Sequence, residues 1–86
     1  MKAFTDRQGR SWVASIREEL GADYKGRYYL VFSSGEGPNG ESYPLEDIRW
    51  NAERAARRSI QAMSVVELRR RLRSALGRGG AVAAGL

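Results

Sequence analysis

The stretch Arg49–Leu76, RWNAERAARRSIQAMSVVELRRRLRSAL, constrains this chain most, because it reads as two amphipathic helices joined end to end. Helices with one apolar stripe need an apolar surface to cover. The sharpest boundary is Ser64. Glu67 follows three residues later, the spacing of a capping box, and Met63 and Leu68 stand at the positions of a hydrophobic staple. The spacing predicts a helix from Ser64 to about Leu76, closed by Gly77. Its apolar face is Val65, Leu68, Leu72, Ala75 and Leu76. The preceding helix carries Ala52, Ala55, Ala56, Ser59, Ile60 and Met63 on one stripe, with Asn51 as its expected N-cap.

Charge is divided unevenly along the chain. Residues 49–78 hold nine Arg against Glu53 and Glu67, a net of +7. Residues 1–48 hold six basic and eight acidic residues, a net of −2, and the two halves sum to the chain's +5. The chain is thus polarised into a basic helical half and a mildly acidic N-terminal half. Arginine outnumbers lysine thirteen to two, which matters because guanidinium meets carboxylate and phosphate in a two-pronged geometry that ammonium lacks. Concurrent enrichment in Arg, Ala and Gly also fits a GC-rich coding sequence, which accounts for the ratio without reference to a partner.

The N-terminal half reads as strands. Lys2–Thr5 has the length of a short edge strand, and Asp6-Arg7-Gln8-Gly9 places Asp and Gly at the first and fourth positions of a turn. From Arg10 to Arg17, Trp12, Ala14 and Ile16 alternate with Val13, Ser15 and Arg17. A hairpin follows from this pattern, with Phe4 and Trp12 as its aromatic anchors. Residues 18–26 are polar, contain two glycines and read as a loop. Arg27–Ser34, RYYLVFSS, is apolar on both alternating faces, the mark of a central strand.

Ser42–Trp50 admits two readings. As a strand, Tyr43, Leu45 and Asp47 alternate with Pro44, Glu46, Ile48 and Trp50. As a helix, Leu45 and Ile48 prolong the apolar stripe of the segment that follows. The strand is preferred, because it pairs an otherwise open sheet edge. The expected fold is α+β: one domain over residues 1–78, with an antiparallel sheet of three to four strands followed by two helices on one face. Residues 79–86, GGAVAAGL, are expected to form a flexible tail.

Composition narrows the chemistry. The chain has 86 residues, and 42% hydrophobic content with two Trp and four Tyr supports a folded core. With neither Cys nor His, it lacks disulfides, thiolate nucleophiles and the usual transition-metal ligands. No metal or other cofactor is expected. The acidic pairs Glu18–Glu19 and Glu46–Asp47 are adjacent in sequence, so on strands they point to opposite faces and do not converge on a bond. Ser33 and Ser34 have no evident base. The loop 35–41 spells G-x-G-x-x-G, but Pro38 interrupts it, Glu36 and Glu41 repel phosphate, and the chain is too short for a doubly wound sheet. A non-enzymatic role follows as the expectation. The N-terminus has no apolar run and no segment approaches a membrane span, so a cytoplasmic protein is expected.

The remaining candidate site is basic. Arg54, Arg57 and Arg58 share a face of the first helix, and Arg69, Arg70, Arg71 and Arg73 surround the apolar face of the second. Such a surface suits an acidic macromolecule, either nucleic acid or protein, with Tyr28, Tyr29 and Trp50 as stacking residues if they are exposed. The leading expectation is a small binding, adaptor or regulatory protein acting through these arginines. The alternative is a protein–protein module or homodimer joined through the Leu68, Leu72 and Leu76 face, with the arginines merely solvated.

Overall fold

The computed structural model describes residues 1–19, 26–34 and 41–84, the last seven of these by backbone alone. Four strands are followed by two helices: β1 (Lys2–Thr5), β2 (Ser11–Glu18), β3 (Tyr28–Ser34), β4 (Ser42–Trp50), α1 (Glu53–Ala62) and α2 (Val65–Ala84). The sheet is antiparallel throughout, in the order β1-β2-β3-β4. This is the expected α+β architecture, with Ser42–Trp50 as the fourth strand. The G-x-G-x-x-G glycines and most of the loop between β2 and β3 lie outside the described residues.

Register explains how one face becomes the core. Phe4 pairs with Trp12, Ala14 with Phe32, and Ile16 with Leu30, which in turn pairs with Leu45. Paired residues share a face, so these side chains line up on the side that α1 and α2 cover. Ile60, Met63, Leu68, Leu72 and Ala75 descend onto them, and Trp12 is wholly buried at the centre. Phe4 meets the edge of Phe32 at 5.8 Å between ring centroids, and Trp12 leans on Tyr43 at 5.9 Å. β3 lies inside the sheet and buries Leu30 and Phe32 on the helical side and Tyr29 and Val31 on the other, as its two apolar faces require.

β4 departs from simple alternation. Leu30 pairs with Leu45, yet the next residue back, Tyr29, pairs with Arg49, so Glu46, Asp47 and Ile48 form an insertion in the ladder. This bulge resets the phase of the strand. Tyr43, Leu45, Ile48 and Trp50 therefore all reach the helical side, and Ile48 and Trp50 pack against the core. An unbroken strand puts Leu45 and Ile48 on opposite faces. The three-residue spacing that mimics a helix is the signature of the bulge.

Arg49 clamps that bulge. Its Nε donates to the Glu46 carbonyl at 2.8 Å, and its Nη1 donates to Glu19 Oε1 at 2.7 Å and to the Gly26 carbonyl at 2.8 Å. The guanidinium also lies over the Tyr29 ring, 5.3 Å from its centroid. Trp50, next in sequence, donates its indole N–H to Ser59 Oγ at 3.0 Å, which explains the hydroxyl on the inner stripe of α1.

The helices follow the expected pattern with three corrections. Ser64 Oγ accepts the Glu67 backbone N–H at 3.1 Å, as the capping box requires. The Glu67 carboxylate takes Arg71 Nη2 at 3.2 Å. The N-cap of α1 is Ala52, without a side-chain hydrogen bond; Asn51 Oδ1 accepts from the Gly26 N–H at 2.8 Å, joining the start of β3 to the end of β4. On the expected apolar stripes Ala52, Ala55 and Val65 are exposed, because α1 meets the sheet on Ala56 and Ile60 and α2 on Leu68, Leu72 and Ala75. Finally, α2 does not stop at Leu76. Its backbone stays helical through Gly77 to Ala84, and Gly77 does not adopt the left-handed conformation of a helix-closing glycine.

Long-range polar contacts tie the helices to β1. Lys2 Nζ donates to the carbonyls of Gln61 at 3.0 Å and Met63 at 2.6 Å. The last turn of α1 has no basic residue of its own, and β1 supplies the cation that its C-terminal dipole favours. Arg69 Nε donates to the Thr5 carbonyl at 2.7 Å and fastens α2 to the end of β1.

Candidate basic surface

Helix periodicity separates the seven candidate arginines into two sets. Since Ala56 and Ile60 face the sheet, Arg54, Arg57 and Arg58 point outward, and all three are exposed. On α2, burial of Leu68, Leu72 and Ala75 sends Arg70 and Arg73 to the outside and leaves Arg69 and Arg71 at the flanks, half-buried.

Three of the seven are engaged within the chain. Arg57 Nε donates to Glu53 Oε2 at 2.8 Å, one helical turn earlier. Arg71 pairs with Glu67 in the same way, and its Nε is buried without a hydrogen-bond partner. Arg69 holds Thr5 through the bond above and through Nη2 to Thr5 Oγ1 at 3.4 Å. Arg54, Arg58, Arg70 and Arg73 make no hydrogen bond or ion pair among the described residues. Among the described side chains of the helical half, the charge without a partner is therefore presented outward by these four. Arg49, part of the same charge count, is occupied by the β4 bulge.

The expected stacking residues are largely withdrawn. Tyr29 is 8% exposed beneath Arg49, Trp50 is packed against the core with its indole N–H on Ser59, and Tyr28 is half-buried. The Leu68 and Leu72 side chains are buried against the chain's own sheet, and Leu76 packs at the margin of the same core.

Sequence reasoning gave Asp6 only a turn position, and the structure gives it a larger role. Asp6 Oδ1 accepts the backbone N–H groups of Gln8 and Arg10, both at 2.9 Å, and Oδ2 accepts the Trp12 indole N–H at 3.0 Å. The Arg10 backbone N–H is the main cause that holds the Asp6 carboxyl below its ordinary value of 3.8. Partial desolvation opposes this, and the Trp12 and Gln8 donors and the Arg10 charge reinforce it. The pattern Phe4-x-Asp6-x-x-Gly9-Arg10-x-Trp12 is thereby explained: Gly9 takes a positive φ of 84°, and the Arg10 guanidinium lies 5.8 Å from the Trp12 ring centroid. The signal was present in the spacing, but nothing in it pointed the carboxylate at the indole.

The acidic pairs fall at separate places. Glu18 faces Arg27 at 3.9 Å, Glu19 is held by Arg49, and Glu46 and Asp47 sit on the β4 bulge. Tyr43 donates its hydroxyl to Glu41 Oε2 at 2.9 Å, and that bond raises the phenol above its ordinary value of 10.0. Among the described residues no group of three His, Cys, Asp or Glu side chains is placed to hold a metal ion. No helix among them is long and apolar enough to cross a membrane.

Comparison with protein-family models, with curated proteins and with solved structures finds no match to this chain. The protein is a four-stranded antiparallel α+β domain with a two-helix layer.

Proposed function

We propose that this is a non-enzymatic cytoplasmic binding protein whose helical layer holds an acidic macromolecule, with nucleic acid as the partner. The observation that carries the reading is the set of four outward arginines, Arg54, Arg58, Arg70 and Arg73, that have no partner among the described residues. Seven candidates with internal carboxylates would describe a solvated, self-neutralised face. Two helices that leave four guanidiniums open describe a surface suited to phosphate. The aromatic rings are largely withdrawn into the fold, so the reading calls for backbone contacts and not for base stacking. That favours a duplex over a single strand.

Fluorescence anisotropy with a labelled DNA duplex across a salt series tests it. Four phosphate contacts give a slope of log K against log salt of about −3.6. Arg54→Glu with Arg58→Glu, two exposed positions away from the core, should remove most of the affinity and bring the slope toward zero. Binding that ignores salt, or that the double variant leaves intact, overturns the reading.

A further inference from the structure

Between the β1–β2 turn and the flank of α2 lies an open cleft of about 190 Å³. The turn contributes Arg7 and Gln8, and α2 contributes Arg69, Leu72, Arg73 and Leu76. Its floor is aliphatic: Leu72, 3% exposed, and half-buried Leu76. Its rim is cationic. Arg7 and Arg73 are exposed and make no hydrogen bond or ion pair among the described residues. Arg69 is held beside them by its bonds to Thr5. Asp6, also at the cleft, has both oxygens engaged by Gln8, Arg10 and Trp12, so it organises the turn and leaves three arginines against one carboxylate.

Size and lining select the occupant. Sites for drug-sized molecules span roughly 300–1,000 Å³, and this cleft is smaller. It has room for one bulky side chain. Phosphate alone has no use for an aliphatic floor, and a nucleobase stacks on flat aromatic faces, which Leu72 and Leu76 do not offer. An apolar pit ringed by cations matches the anchor-and-rim arrangement of a protein contact. We propose that the cleft docks an acidic peptide segment of a partner protein. One large apolar side chain sits on Leu72 and Leu76, and flanking carboxylates meet Arg7, Arg69 and Arg73. The proposal goes beyond the nucleic-acid reading. It draws Arg7 from the sheet layer, and it shares only Arg73 with the outward helical surface.

The test is a heteronuclear NMR titration of the full chain with a synthetic peptide in which one tryptophan is flanked on each side by two aspartates, within a Gly/Ser background. Amide shifts should be confined to the β1–β2 turn and residues 68–77, and should saturate with Kd on the order of 100 μM. Replacing the tryptophan by alanine, or the aspartates by asparagine, should each weaken binding by about tenfold or more. Arg7→Glu should abolish the peptide shifts while leaving duplex affinity unchanged, and Arg7→Gln should fall between. Both variants alter an exposed turn residue, and a dispersed spectrum verifies that they fold. Shifts spread over the outer face of α1, shifts indifferent to Arg7→Glu, or no saturable binding would each overturn the proposal. So would a duplex that perturbs the turn where the peptide does not. Peptide binding without duplex binding sinks only the nucleic-acid reading, and the reverse sinks only this one.

Discussion

The Asp6 carboxylate and the Trp12 indole are joined by a 3.0 Å hydrogen bond across the neck of the β1–β2 turn. Trp12 is the largest wholly buried side chain, so this bond connects an exposed turn directly to the centre of the core. The same carboxylate caps Gln8 and Arg10, which places Arg7 at the tip of the turn and on the rim of the α2 cleft.

The depressed Asp6 pKa sets an acid limb. A carboxyl titrating lower in the folded chain than in the unfolded one contributes stability that is present above its ordinary value of 3.8 and is lost as pH falls through the lower folded value. Urea midpoints measured between pH 5 and pH 2 should decline, and Asp6→Asn should flatten part of that decline while perturbing Trp12 fluorescence. An acid limb identical in the variant would assign the loss to other carboxylates.

Gly77 tests where α2 ends. Its backbone is helical and a Cβ added there meets nothing within 4 Å. Gly77→Ala should therefore stabilise the protein by up to about 1 kcal/mol, the propensity difference in a helix interior. A helix closed at Gly77 in the left-handed conformation predicts the opposite sign. Thermal denaturation followed by far-UV circular dichroism reads the difference.

Gly9 and Gly26, the glycines with positive φ among the described residues, should respond unequally to alanine. Gly9, at φ 84°, has open space around the new methyl, so its cost is conformational, about 1 kcal/mol. Gly26, at φ 68°, would place a Cβ 2.9 Å from Arg49 Cδ and 3.2 Å from its Cβ. Gly26→Ala must also displace the clamp that holds Glu19, the Gly26 carbonyl and the β4 bulge, and about 2 kcal/mol is expected. Equal losses in paired urea titrations would show that Arg49 moves aside without consequence.

Much of the fold was legible because its signals are local. The Ser64 cap depends on a hydroxyl and an N–H three residues apart, and the burial of β3 on both faces is spelled by its unbroken apolar run. The β4 bulge was not legible, because Leu45 and Ile48 at a spacing of three satisfy a helix as well as an interrupted strand. Only pairing with Leu30 and Tyr29 distinguishes them. The basic surface was legible as a composition and not as a site. Glu53 four residues before Arg57 is a helical pair that the spacing spells, and it forms. Arg69 is withdrawn by the Thr5 carbonyl, a partner 64 residues away.

The sequence by itself determined the first three strands, the start of each helix with its buried stripe in outline, and the division of charge between the two halves. Those properties follow from periodicity, capping and counting along a few turns or strand repeats. Tertiary structure decided that Arg69 is withdrawn onto Thr5, that Asn51 serves Gly26 in place of a helix end, that Asp6 reaches Trp12, and that Arg7 meets α2 across an apolar cleft. These contacts depend on strand pairing and on packing α2 beside β1, and the longer of them join groups whose separation along the chain carries no local signal.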